Sequence, residues 1–258
     1  MPCWWRIGWC DLKSQAGQTV SLYATVMPEQ PCIYRIYRIY IVTREFSALL
    51  AQGASVADRL HPDDLQPLAS HPKRRFIQQF SRWQRRRLFA DVLPCPADLI
   101  NIQTDQFGKP YLYSHPQLAF NQSHTDTMLA LCYSLDVAHI GIDIEDKSRV
   151  MRVEALAQHS LTGQEYIRFT QAADQQRYWL ALWTIKEAVL KASGIGIRLS
   201  LSELETGYMD MQQQAGSVFH PKIGHWQYAC YELAQHMLSV SWQDTQPSDA
   251  VQIIFSDD

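Results

Sequence analysis

The segment from Gly141 to Glu145, GIDIE, alternates acidic and apolar side chains without a break. Strict alternation is typical of a β-strand, in which successive side chains point to opposite faces. Asp143 and Glu145 are therefore expected on one face, with Cβ atoms roughly 7 Å apart at two strand rises. Two like charges so placed repel each other unless water screens them or a cation lies between them. The segment predicts either a solvated sheet face or half of a metal site.

The strongest helical pattern in the chain is DQQRYWLALWTIKEAVLKASG, which ends at Gly194. Within it, Trp183, Glu187 and Lys191 recur at i, i+4 and i+8 and so share one helix face. A Glu–Lys pair at this spacing is common on exposed helices, where it adds about 0.3–0.5 kcal/mol of stability. The functional interpretation is a carboxylate that reaches a metal, with an ammonium group one turn further on for an anion. Spacing alone leaves both interpretations open.

A basic run without acids occupies residues 73–87 and has the apolar period of a helix through Phe76, Ile77, Phe80 and Trp83. Its basic members are Lys73, Arg74, Arg75, Arg82, Arg85, Arg86 and Arg87. A solvated helix face, a phosphate site and a nucleic-acid surface are the three interpretations. Arg87 falls near the aromatic stripe, where an arginine needs a partner and a phosphate is suitable. The net charge of −3 argues against nucleic acid as a partner.

Composition and spacing exclude several other classes. The 258 residues, 47% of them hydrophobic, suffice for one large domain or two small ones. No apolar window of about 18 residues and no signal-peptide pattern is present, so we expect a cytoplasmic protein without a membrane partner. A P-loop and the usual zinc-binding histidine spacings are missing, and Ser123 beside His124 would need a turn to form a nucleophile pair. The cysteines contain no C-x-x-C pair and are expected to be buried thiols in a reducing compartment: Cys3, Cys10, Cys32, Cys95, Cys132 and Cys230.

Blocks of strand-like and helix-like sequence occur in both halves of the chain, which favours an α+β fold of two lobes of similar size. We place the lobes at residues 1–136 and 137–258. Strands are expected in TVSLYATV and CIYRIYRIYIV near the beginning and in HWQYACYEL and HMLSVSW near the end. Thr162 and Glu165 have the spacing of a helix capping box.

In their order along the chain, the basic helix, FGKP, FN-x-SH, GIDIE and W-x-x-KE-x-x-x-K resemble the Sfp-type 4′-phosphopantetheinyl transferase family. The resemblance runs from about residue 73 to residue 201. Two departures are visible, because Gln122 replaces an apolar residue and SGIGI lacks a lysine between its glycines. The resemblance implies a pseudo-dimer of two α+β lobes with the active site in the cleft between them. It also implies a monomer, since one chain supplies both lobes.

The resemblance further implies an activity and a set of site residues. The activity is Mg²⁺-dependent transfer of 4′-phosphopantetheine from coenzyme A to a serine of an apo acyl or peptidyl carrier protein, with release of 3′,5′-ADP. The implied metal ligands are Asp143, Glu145 and Glu187, and Glu187 or a water that it orients is the candidate base, acting with Asp143 and Lys191. The implied coenzyme A residues are Lys73, Arg74, Arg86, Arg87, Lys109, Ser123, His124, Lys186 and Lys191. A module that binds coenzyme A or a carrier without catalysis is the alternative, and the identity of the carrier stays open.

Overall fold

A computed structural model provides the fold. It describes residues 6–7, 19–21, 24–25, 36–53, 55–65, 68–106, 108–210, 212–243 and 250–256. Parts of the strands expected before residue 36, and Cys3, Cys10 and Cys32, lie outside these ranges. Within the same ranges, we find no helix that combines the length and the apolar character needed to cross a membrane.

The described strands are β1 (Arg6–Ile7), β2 (Thr19–Ser21), β3 (Ala24–Thr25), β4 (Ile36–Glu45), β5 (Ile102–Thr104), β6 (Pro110–Leu112), β7 (Ala119–His124), β8 (Met128–Ser134), β9 (Ile140–Asp146), β10 (Ala215–His220), β11 (Gly224–Glu232), β12 (His236–Gln243) and β13 (Ala250–Ser256). The described α-helices are α1 (Ser47–Ala51), α2 (Pro72–Val92), α3 (Val153–Ser160), α4 (Gly163–Gln171) and α5 (Gln175–Ser193). Short 3₁₀ turns cover Ala57–Arg59, Pro62–Asp64, Ala97–Leu99, Gly196–Arg198 and Leu201–Glu203.

The first lobe is a sheet covered by α2. Its strand order is β2-β13-β4-β8-β7, in which the β13–β4 pair is parallel and the other described pairs are antiparallel. Phe76, Phe80 and Phe89 of α2 lie in one buried cluster with Phe120 of β7 and Leu131 of β8. The helix predicted from the period of the basic run is confirmed, because its apolar stripe is the face that packs on the sheet.

The second lobe is a sheet covered by α5. Its strand order is β10-β11-β12-β9, and its described pairs are antiparallel. Trp179, Leu182 and Ile185 of α5 share a buried cluster with Tyr228 of β11 and Met237 of β12. Two sheet-containing lobes of mixed helix and strand confirm the α+β class.

The helix ends of the second lobe follow signals that are visible in the sequence. The Asp174 side chain accepts a hydrogen bond from the Arg177 backbone N–H at 2.9 Å at the beginning of α5. Gly194 has a φ of 71° at the end of α5, a left-handed conformation that glycine adopts without strain. Thr162 and Glu165 form the predicted capping box at α4.

The two sheets pack against each other through apolar side chains. Ile39 and Ile41 of β4 and Cys132 of β8 belong to one buried cluster with Ile142 and Ile144 of β9. The isoleucines of GIDIE therefore face the first lobe, and the alternation places the acids on the opposite face of β9.

The end of the chain returns to the first sheet. β13 pairs with β4 on one side and with β2 on the other. A division by sheet therefore assigns β13 to the first lobe, whereas the predicted second lobe, residues 137–258, includes it. The boundary between residues 136 and 137, taken as a boundary between folding units, stays a prediction.

Candidate active site at the lobe junction

The absence of a side chain at Gly141 allows α5 to cross β9 in direct contact. A Cβ atom at Gly141 would lie 2.2 Å from the Ala188 carbonyl oxygen and 2.4 Å from the Ala192 backbone nitrogen. Both distances are far below a van der Waals contact, so the glycine of GIDIE is required for this crossing. The close approach brings the turn of α5 that carries Glu187 and Lys191 alongside the acidic face of β9.

Asp143 is the centre of a hydrogen-bonded group that joins the lobes. Its Oδ1 accepts from Lys191 Nζ at 2.6 Å and from Ser123 Oγ at 2.8 Å, and Lys191 Nζ lies 3.0 Å from Ser123 Oγ. Asp143 is 4% exposed. Its second oxygen, Oδ2, is buried and finds no donor among the described residues. A buried carboxylate oxygen without a partner is costly, and such an atom suits a cation.

Glu145 is held by two donors on the same side of β9. Trp183 Nε1 donates to Oε1 at 3.2 Å, and Arg149 Nη1 donates to Oε2 at 3.0 Å. Burial raises the pKa of the Glu145 carboxyl, the charge of Asp143 raises it further, and Arg149 opposes both effects.

Glu187 is half-buried on α5, near the charged groups of Asp143, Glu145 and Lys191. Burial raises the pKa of its carboxyl above the ordinary value, Asp143 and Glu145 raise it further, and Lys191 acts in the opposite direction. Within the part of the chain that the structure describes, the Glu187 carboxylate accepts no hydrogen bond. The charges of Asp143 and Glu145 thus act on Glu187, and a shared metal site of the three acids stays a prediction.

The three acids do not form a ready metal cage. The described residues contain no group of three His, Cys, Asp or Glu side chains arranged to hold a metal ion. Lys191 occupies one oxygen of Asp143, and Arg149 and Trp183 occupy both oxygens of Glu145. The chemistry of the donors nevertheless suits Mg²⁺, since all three are carboxylates and Asp143 Oδ2 is buried without a partner.

Comparison with known proteins finds a family model that matches the part of the chain around this site. Residues 139–241 match the model of the 4′-phosphopantetheinyl transferase superfamily, a range that includes β9, α5 and the three acids. The part of the chain that carries the candidate site is thus similar to this superfamily. The family predicted from the order of the sequence motifs is confirmed.

Curated relatives align with part of this chain. The chain is 31% identical over 153 residues to 4′-phosphopantetheinyl transferase psf-1 of Bacillus pumilus. The aligned region covers 54% of this chain and 64% of the relative. The chain is 32% identical over 104 residues to 4′-phosphopantetheinyl transferase Sfp of Bacillus subtilis (strain 168). The aligned region covers 40% of this chain and 45% of the relative. The chain thus spans less than two thirds of the length of these relatives. A holo-[acyl-carrier-protein] synthase from Neisseria meningitidis aligns with a TM-score of 0.35 and 25% identity over 42% of this chain and 99% of that one.

Several predicted coenzyme A residues lie near the turn after β7. Ser123 contacts Asp143 directly, and the next residue, His124, is exposed at the end of β7. Lys73 at the beginning of α2 pairs with Asp126 at 2.7 Å, which places it beside the same turn. Arg74 is exposed on the next position of α2.

Arg87 is exposed but distant from that turn. It lies 13 residues beyond Arg74 on α2, which is roughly 20 Å along a helix axis. The structure therefore does not bring Arg87 together with Lys73 and Arg74. The sequence argument for a phosphate at Arg87, based on its position near the aromatic stripe, has no support from its exposed location.

The prediction for Arg86 is wrong because its guanidinium group lies inside the first lobe. Arg86 Nε donates to Asp64 Oδ2 at 2.6 Å, and Nη1 donates to the carbonyl oxygens of Ile100 at 2.7 Å and Ala97 at 2.9 Å. Arg85 is also buried beside Asp64. The basic run is thus anchored by Asp64, an acid outside the run.

The prediction for Lys186 is also wrong, for the same physical reason. Its side chain is 0% exposed, and Nζ donates to Glu165 at 2.5 Å and to the carbonyl oxygens of Ser160 and Leu201 at 2.8 Å. Burial lowers the pKa of Lys186, and the Glu165 charge opposes that effect. An ammonium group with all its donors used inside the second lobe cannot bind a substrate.

Lys109 reaches the junction but turns to backbone oxygens. Its Nζ donates to the carbonyl oxygens of Lys191 at 2.8 Å, Ala192 at 2.9 Å and Ile140 at 3.4 Å.

The sequence analysis missed three contributors to the junction: Trp183 had no assigned role, and Arg149 and Asn121 were not considered. Asn121 Oδ1 accepts from the Ile142 N–H at 3.1 Å, and the only signal for it was its place in FN-x-SH.

Proposed function

We propose that this protein transfers 4′-phosphopantetheine from coenzyme A to a serine of an apo carrier protein and releases 3′,5′-ADP. The observation that carries the proposal is the crossing of α5 over Gly141, which sets Glu187 and Lys191 beside Asp143. Similarity to the superfamily supports the same reaction, since the curated relatives carry the name of this transferase. A cytoplasmic location and a monomeric state belong to the same proposal.

Asp143, Glu145 and Glu187 would hold a magnesium ion. When bound, Mg²⁺ supplies positive charge that offsets both the acids and the diphosphate of coenzyme A, and it stabilises charge that grows on the leaving phosphate. Without a cation, three carboxylates would face a polyanionic ligand, and unit charges about 4 Å apart interact by roughly 4 kcal/mol at an effective dielectric constant of 20.

Lys191 and the turn after β7 would bind the donor. The Lys191 ammonium group is 30% exposed, so it can exchange its contact with Asp143 for a phosphate oxygen. Ser123, His124, Lys73 and Arg74 lie on the first-lobe side of the junction and would hold the adenosine end with its 3′-phosphate.

Glu187 is our candidate for the base that accepts the proton of the carrier serine. Without a metal, burial raises the pKa of this carboxyl, which favours its action as a base, whereas a bound cation would lower the pKa. As the serine oxygen forms its bond to the β-phosphorus, the bond from that phosphorus to the bridging oxygen breaks, and 3′,5′-ADP leaves with the electron pair. A water oriented by Glu187 can take the proton in its place when the carboxylate is engaged by the metal.

The approach of the carrier would be guided by charge on the loop after β9. Arg149 has a side chain that is 55% exposed, and Arg152 is exposed three residues later. A carrier with acidic residues around its serine would be attracted to this side of Glu145.

The test is a transfer assay with a panel of apo acyl and peptidyl carrier proteins, coenzyme A and Mg²⁺. The expected result is a mass gain of one phosphopantetheine group on at least one carrier and none on the same carrier with its serine replaced by alanine. Binding of coenzyme A by calorimetry without any mass gain across the panel would refute transfer and favour the non-catalytic binding module.

A further inference from the structure

The Lys109 ammonium group lies where the first lobe meets the two elements that carry the acids. Lys109 belongs to the hairpin loop between β5 and β6, whereas its three acceptors are the carbonyl oxygens of Lys191 and Ala192 in α5 and of Ile140 in β9. One side chain therefore ties a loop of the first lobe to both components of the candidate site.

The hairpin is built to present this side chain in one place. The Asp105 N–H donates to the Lys109 carbonyl oxygen at 2.9 Å, and the Lys109 N–H donates to Asp105 Oδ1 at 2.9 Å. Gly108 has a φ of 84°, a conformation that a residue with a side chain adopts only with strain. The backbone of Lys109 is thus fixed before its side chain extends to α5.

The acceptors are groups that need such a donor. The last four carbonyl groups of an α-helix have no partner within the helix, and the carbonyl end carries partial negative charge. A lysine at this end satisfies the free oxygens and is attracted to the helix dipole. Lys109 is partly buried at this position, and burial lowers the pKa of its ammonium group.

Lys191 links this cap to the reaction centre. Lys109 binds the carbonyl oxygen of Lys191, while the ammonium group of Lys191 binds Asp143 and Ser123. A shift of the last turn of α5 would therefore move the one cation that contacts Asp143 in the described part of the chain.

We infer that Lys109 is a positioning residue that fixes the last turn of α5 against β9, and that it is not a ligand of the 3′-phosphate of coenzyme A. The inference rests on the proposed function for its kinetic consequences but not for its structural ones. The family resemblance assigned Lys109 to the adenosine end, so the two assignments make opposite predictions.

The kinetic test compares coenzyme A with 3′-dephospho-coenzyme A as donors for the Lys109→Met variant. We expect kcat per folded molecule to fall roughly ten- to a hundredfold with both donors, because the site is misplaced. The ratio of kcat/KM between the two donors should match that of the unaltered protein. A ratio that collapses towards one would show that Lys109 reads the 3′-phosphate and would overturn the inference. Lys222→Met, a change at an exposed lysine paired only loosely with Glu203 at 3.5 Å, is the matched control and should leave both donors unaffected.

The structural test is hydrogen exchange of the amides in residues 186–196. Exchange should be faster in Lys109→Met than in the unaltered protein, unchanged in Lys222→Met and partly restored in Lys109→Arg, which keeps the charge. Unchanged exchange in Lys109→Met would overturn the inference even if the protein proved inactive as a transferase. If Lys109→Met fails to fold, Lys109→Gln takes its place in both tests, with the same outcomes deciding, because its amide is shorter, carries no charge and has two N–H groups for the three acceptors.

Discussion

Two ion pairs made by lysines of the same helix differ in what they leave unused. Lys186 and Glu165 lie wholly inside the second lobe, where Lys186 also binds two carbonyl oxygens and Glu165 accepts from Thr206 and Thr162. Lys191 and Asp143 lie at the lobe junction, where Lys191 is 30% exposed and one Asp143 oxygen has no described donor. The comparison teaches that the two buried charge pairs differ in whether their donors and acceptors are all used, and we propose a catalytic role only for the pair with an unused acceptor.

The largest expected loss of stability comes from breaking the Lys186–Glu165 pair. Lys186→Met should lower the free energy of unfolding by about 3–5 kcal/mol, because it leaves the Glu165 charge buried without a partner. Urea unfolding measures this loss. Lys191→Met should cost clearly less, since the Lys191 side chain is already 30% exposed and Ser123 still donates to Asp143. Equal losses in the two variants would remove the distinction between the pairs.

The next effect concerns the junction acids. Asp143→Ala and Glu187→Ala should each lower transfer to an apo carrier by at least roughly a hundredfold, the size found when one charge-stabilising group is removed from an active site. The fold should remain intact, as circular dichroism can verify. Chelation of Mg²⁺ should cause a comparable loss in the unaltered protein. Near-normal turnover of either variant with Mg²⁺ present would refute the site assignment.

A smaller effect on stability and transfer is expected when α5 is displaced from β9. Gly141→Ala places a methyl group against the backbone of α5 and should cost about 1–3 kcal/mol of unfolding free energy, with lower transfer per folded molecule. Gly163→Ala is the matched control, since nothing lies within 4 Å of its added Cβ atom. Retention of full transfer by Gly141→Ala would show that the close crossing does not position Glu187 and Lys191.

The reach of the junction towards the donor can be tested at His124. His124→Ala should raise the KM for coenzyme A about tenfold, which corresponds to roughly 1.4 kcal/mol, and should change the KM for 3′-dephospho-coenzyme A much less. An equal rise of KM for both donors would show that His124 does not bind the 3′-phosphate.

The smallest effect uses the raised pKa of Glu187. In EDTA, Glu187→Gln should slightly increase the free energy of unfolding at neutral pH, because it removes a charge that burial and Asp143 disfavour. The gain should vanish as pH falls through the raised pKa, since the unaltered folded protein then binds the proton that its unfolded state lacks. Thermal unfolding across this pH range measures the gain, and an increase that persists below it would contradict the cause.

The elements and faces of the site could be predicted, but their long-range partners could not. Alternation placed the acids of β9 on one face, and the helical period placed Glu187 and Lys191 together. The same period puts Lys186 about 100° from Glu187 around the helix, so its exclusion from the site was available in the sequence and was overlooked. The pairing of Arg86 with Asp64 joins positions 22 apart, and that of Lys109 with Lys191 joins positions 82 apart. Such contacts depend on tertiary packing within and between the lobes, which no local pattern encodes.

The position of β13 between β2 and β4 has a consequence for biosynthesis. β13 follows β4 by more than 200 residues in the chain, so β4 leaves the ribosome long before its parallel neighbour is made. An unpaired β4 edge with buried isoleucines is a template for intermolecular strand pairing. Nascent chains should therefore need shelter by chaperones until residues 250–256 have emerged.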